Sequence, residues 1–125
     1  MNLKVIEALD AVRAHFAGLP VEVVPDGAGG AHVLVEGVEV GPLYTPNVTW
    51  LGFHLNSAYP HSDVYPHYVG KVARVDGAPH GEAISDCEYQ RRTALQLSRK
   101  SNKWDATVDS AANKAERVLK WFRDR

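Results

Sequence analysis

The chain reads as an α+β domain made of an N-terminal helix, a four-stranded antiparallel meander and a C-terminal helix. Three observations predict this. Residues 3–17 repeat apolar side chains at helical spacing. Residues 21–75 carry short β-branched and aromatic runs cut by Gly and Pro. Residues 108–122 return to a helical apolar stripe. Short turns between short strands favour antiparallel pairing, because a parallel return needs a long crossover.

The first helix is expected over Leu3–Ala17, with Asn2 as its N-cap. Val5, Leu9, Val12 and Phe16 share its apolar face, flanked by Leu3 and Ile6. Gly18 suits a C-cap, and Pro20 forbids continuation. Val21–Val24 is a short strand, followed by the turn residues Pro25-Asp26-Gly27 and Gly29-Gly30. Ala31–Glu36 alternates, with Val33 and Val35 on one face and His32, Leu34 and Glu36 on the other. Gly37 turns the chain into Val38–Val40. Val48–Leu55 and His67–Val75 are the remaining strands. Between them, residues 56–67 hold Tyr59-Pro60 and Tyr65-Pro66, whose rings suit a packed clasp. Residues 79–86 read as loop. Glu88–Lys100 is rich in helix formers and is expected to be helical. A final helix is expected from an Asp105 or Thr107 cap to Arg123, burying Val108, Ala111, Ala112, Ala115, Val118, Leu119 and Phe122.

At 125 residues the chain is expected to form a single domain, 1–125, with a core of its own. Fourteen Lys and Arg stand against fifteen Asp and Glu, so net charge gives no reason to expect nucleic acid or membrane as a partner. The cations gather from Arg91 onward, and residues 96–103 form a polar basic stretch without interleaved aromatics. One cysteine excludes an internal disulfide and suits a reducing compartment. With no signal-peptide pattern and no apolar run of membrane-spanning length, a cytoplasmic protein is expected. Gly27-Ala28-Gly29-Gly30 lacks the Gly-Lys-Ser/Thr ending of a phosphate loop.

The segment Phe53-His54-Leu55-Asn56-Ser57-Ala58-Tyr59-Pro60, followed by Tyr65-Pro66, resembles the strand and Tyr-Pro loop of the ubiquitin-conjugating (E2) fold. His80-Gly81-Glu82-Ala83-Ile84-Ser85-Asp86-Cys87 is similar to the family's active-site loop. Trp104-Asp105 looks like the tryptophan that follows it. The order of predicted elements is also that of the family. The likeness looks closest to compact bacterial members encoded beside E1-like and ubiquitin-like partners, including antiphage conjugation systems. The resemblance implies that Cys87 carries a modifier as a thioester, with His80 or Asp86 orienting the incoming amine. It implies an E1-like adenylating enzyme and a ubiquitin-like protein as partners, and no metal or organic cofactor. The His-Pro-Asn motif of the family is absent. A second reading is therefore a catalytically inactive E2-like module that holds a ubiquitin-like protein or an E1-like partner.

The residues around Cys87 bear on the chemistry. A thiol at the N-terminus of a helix over 88–100 is expected to ionise more readily, and Arg91 and Arg92 add positive potential. Asp86 and Glu88 act against it. A third reading rests on the histidines. His54, His61, His67 and His80, with Asp63, supply a His/Asp set of the kind that holds zinc in a hydrolase or a binding module. Surface or hydrogen-bonded histidines account for the same pattern.

Overall fold

The computed structural model describes residues 1–125. Helix α1 spans Leu3–His15, capped by Asn2, whose Oδ1 accepts from the Val5 N–H at 3.0 Å. Strands β1 (Val21–Pro25), β2 (Ala31–Glu39), β3 (Tyr44–Thr45) and β4 (Val48–Leu55) follow. After the Tyr-Pro loop come β5 (His67–Gly70), β6 (Ala73–Arg74), β7 (Ile84–Tyr89) and β8 (Arg92–Leu97). Helix α2 closes the chain at Ala111–Arg123. The architecture is α+β, with a terminal helix at each end of an antiparallel sheet, as the pattern predicts.

The strand count differs. The main sheet has six strands in the order β1-β2-β4-β5-β8-β7, and β3 and β6 pair separately. Expected strands 31–36 and 38–40 are one strand. A register shift between Val35 and Val38 absorbs Gly37, which sits at φ +84°. The expected strand 67–75 splits, its second half pairing with β3.

The expected helix over Glu88–Lys100 does not exist. That stretch and the preceding Ile84–Cys87 form a β-hairpin, β7–β8, with Gln90 and Arg91 at the turn. Both turn residues take positive φ, 49° and 64°, the backbone twist that a two-residue hairpin needs. The last helix also starts later than expected. Ser110, not Asp105 or Thr107, caps it, through a reciprocal pair of bonds with Asn113. Val108 consequently lies before the helix and is exposed.

Both helices pack on one sheet face. Val5, Leu9, Val12 and Phe16 of α1 and Ala115, Val118, Leu119 and Phe122 of α2 meet Val33, Val35, Leu51, Phe53, Val69, Leu95 and Leu97. The Tyr-Pro loop fastens α2 to this layer. Tyr59 is buried, and its hydroxyl oxygen accepts from the Ala111 N–H at 3.0 Å. Trp104 Nε1 donates to the Pro60 carbonyl at 2.7 Å. The opposite sheet face is covered by the tip of the β7–β8 hairpin. Arg92 reaches Glu36 on β2 at 2.6 Å and Glu22 on β1 at 3.5 Å. Beneath it Tyr89, Leu34 and Ala94 form a second small core with Trp50, Tyr68 and Cys87. No helix is long and apolar enough to cross a membrane.

Candidate functional site

Cys87 lies in the middle of β7, opposite Ala94 of β8. Side chains alternate across a strand. Cys87 and Tyr89 therefore face the second core, while Ile84 packs against the helix-side core and Asp86 shares its side of the strand. With the helix over 88–100 replaced by a hairpin, no helix N-terminus adjoins the thiol. Burial, and then the neighbouring Asp86 carboxylate, pushes the Cys87 pKa above its ordinary value. The local field thus works against the thiolate.

His80 and Asp86 come together without Cys87. Both line a recess of about 530 Å³ that also includes Lys71, Arg74 and Leu95. Asp86 pairs with Lys71 at 3.6 Å. His80 Nε2 lies 2.8 Å from the Val72 carbonyl oxygen and donates to it, and its ring lies near Tyr44. The recess is on the side of β7 away from the thiol. The three residues named from the sequence therefore form no single constellation: two share a recess, and the third faces the other way.

The histidine set is also dispersed. Nowhere do three His, Cys, Asp or Glu side chains converge as a metal site. His61 is exposed in the Tyr-Pro loop. His67 is fully buried on β5, with neither ring nitrogen hydrogen-bonded, and burial depresses its pKa to about 3, aided by the Lys114 charge. Asp63 accepts from Lys114 Nζ at 2.8 and 3.1 Å and from the Ser101 N–H at 2.8 Å. Its carboxylate is already spent on the protein. Burial raises the Asp63 carboxyl, and these bonds more than reverse that, leaving it below the usual range.

A different cluster assembles on the far face. His32 and His54 are cross-strand partners, their rings stacked at 4.3 Å. His54 Nε2 lies 2.7 Å from Asp26 Oδ2, and Asp26 Oδ1 accepts from the Ala28 and Gly30 N–H groups at 2.7 and 2.9 Å. His32 Nδ1 is 2.9 Å from the Tyr89 hydroxyl. Tyr89 in turn stacks on Tyr68 at 4.1 Å and closes over Gly52. A legible signal pointed here: His32 and His54 lie in strands that pair, and Asp26 sits in the turn at their end. The cluster fastens the hairpin tip to β2 and β4. Compared with protein-family models, curated proteins and solved structures, the chain finds no match.

Proposed function

We propose that this chain is a non-catalytic binding module with the element order of the ubiquitin-conjugating fold, and that it holds a ubiquitin-like or E1-like protein partner. The order supports the reading in its outline: helix, antiparallel meander and Tyr-Pro loop, and, after strand β5 and the added β6–β8, a late helix preceded by a tryptophan. The observation that separates a binder from a thioester carrier is the placement of Cys87. It sits mid-strand with a raised pKa, and His80 and Asp86 lie on the other side of β7. A transfer site needs an ionisable thiol and a donor aimed at the attacked carbonyl. Neither accompanies Cys87.

The test incubates the protein and its Cys87→Ser variant with ATP, an E1-like protein and a ubiquitin-like protein. Intact mass is read with and without reductant, and co-elution with each partner is followed in parallel. The expected result is stable co-elution for both proteins and no adduct on either. A reductant-sensitive adduct present on the wild type and absent from Cys87→Ser would restore the conjugating enzyme. Absence of any complex would reject both.

A further inference from the structure

We infer that the recess between the Arg99–Lys103 segment and α2 is a binding site for a phosphate monoester. The recess has a volume of about 270 Å³. This suits a phosphate with a small ester group and excludes a folded domain. The inference goes beyond the binding-module reading and stands without it.

Charge accounting gives the first reason. Five cationic side chains line the recess. Lys114 is answered by Asp63 at 2.8 Å, and Arg117 by Asp109 at 2.8 Å. Arg99, Lys100 and Lys103 have no carboxylate partner and donate no side-chain hydrogen bond within the chain. A local excess of three charges suits a phosphate monoester, which carries about −1.5 to −2 near neutrality, better than a single carboxylate.

The second reason is how the cations are held. The Arg99 guanidinium lies 5.6 Å from the Trp121 ring centroid, and the Lys100 ammonium 5.2 Å from that of Tyr65. Ring faces attract a cation without consuming its N–H donors. Arg99 and Lys100 are thus stationed with their hydrogen-bonding capacity unspent. The backbone N–H groups of Asn102 and Lys103 also have no acceptor in the chain. Charged side chains and free amides thus lie together along one short segment, donors of the kind that bind an oxyanion.

The third reason is the floor. Lys114 is buried in α2, and its Nζ donates to Ser101 Oγ at 2.8 Å as well as to Asp63. Ser101 is tied to Asp63 through its own N–H and hydroxyl. The loop bearing the free cations is therefore bolted to α2 and to the Tyr-Pro loop, and its donors are organised before a ligand arrives. A nucleic-acid strand is disfavoured, because bases need free aromatic faces and Trp121 is engaged with Arg99 and, at 4.6 Å, with Arg125.

The test follows amide shifts of ¹⁵N-labelled protein at about pH 7.5 while inorganic phosphate, O-phosphoserine or adenosine 5′-monophosphate is added. Sodium chloride and acetate at matched ionic strength serve as controls. The expected result is saturable shifts at residues 99–103 and in the first turns of α2 with the phosphates but not with acetate. The Arg99→Gln/Lys103→Gln variant alters two exposed side chains and keeps the dispersed spectrum of the folded protein. It should bind about tenfold more weakly, through loss of two charge-assisted contacts. The strongest of the three phosphates identifies the carrier. Linear shifts shared with chloride, equal binding of acetate, or an unchanged variant would overturn the inference. So would binding of a single-stranded oligonucleotide here without binding of any small phosphate.

Discussion

Asp26 holds its carboxylate against three donors, and its acidity follows. The His54 hydrogen bond, and then the Ala28 N–H, lower its pKa to about 2. A carboxyl depressed on folding stabilises the fold above its unfolded pKa, and that contribution disappears as pH falls through the folded value. Wild type should therefore be more stable than Asp26→Asn by a constant margin at higher pH, narrowing between about pH 4 and 2. Urea unfolding at several pH values reads this directly, and parallel curves would rule it out. His67 acts in the same sense, although it is a base. Buried and depressed to about 3 from an ordinary 6.5, it binds fewer protons when folded than when unfolded. Stability should fall by about 1.4 kcal/mol per pH unit as pH drops from about 6 to 4. His67→Leu removes a ring that makes no hydrogen bond. The variant should match or exceed wild-type stability at neutral pH and show a flatter slope below it. An unchanged slope would place the proton uptake elsewhere.

At the scale of elements, the β7–β8 hairpin explains both what the sequence revealed and what it hid. The first helix and the strand at Val48–Leu55 were legible because capping residues, Gly/Pro turns and periodicity agreed there. Over 84–97 the local signals pointed elsewhere. Glu88, Gln90, Arg91 and Arg92 are good helix formers, and the Gln90-Arg91 turn has neither Gly nor Asn to announce it. Leu95 and Leu97 do alternate with Gln96, but Ala94 is buried too, against the second core, and it blurred the period. Tertiary burial on both sheet faces overrode propensity. The helix N-terminus expected to activate the Cys87 thiol went with that helix. The tip's fit over the sheet is itself testable. A Cβ on Gly52 would lie 2.7 Å from Tyr89 and 3.0 Å from Trp50. Gly52→Ala should cost about 1–3 kcal/mol by overpacking. The penalty should shrink in a Tyr89→Leu background, a coupling that a double-mutant cycle measures. Equal penalties in both backgrounds would show that Tyr89 is not the obstacle.

At the scale of the whole molecule, Lys114 is the point where three parts of the chain meet. Its side chain is only 3% exposed and joins α2 to Asp63 of the Tyr-Pro loop and Ser101 of the segment after β8. Removing the carboxylate charge leaves a buried ammonium uncompensated. Asp63→Asn should cost about 3 kcal/mol in thermal or denaturant unfolding. Lys114→Met should cost less, because Asp63 keeps its Ser101 bonds and is 21% exposed to water. The reverse ranking would mean that the carboxylate, not the ammonium, bears the burial penalty. None of this network was legible from sequence. Asp63 reads there as a metal-ligand neighbour of His61, and only the fold shows that its partners come from the basic stretch and from α2.

The arch from Arg92 to Glu22 and Glu36 also governs how the chain acquires its structure. It joins the first strand to the last hairpin, across most of the intervening sequence. The second core gains Tyr89 and Ala94 only when that long loop has closed. Loop-closure entropy is lost before those contacts repay it, so folding belongs to the slower regime of non-local sheets, on the order of milliseconds to seconds. During synthesis the early strands emerge with Leu34 and Trp50 still bare. The far face waits for the hairpin to be made.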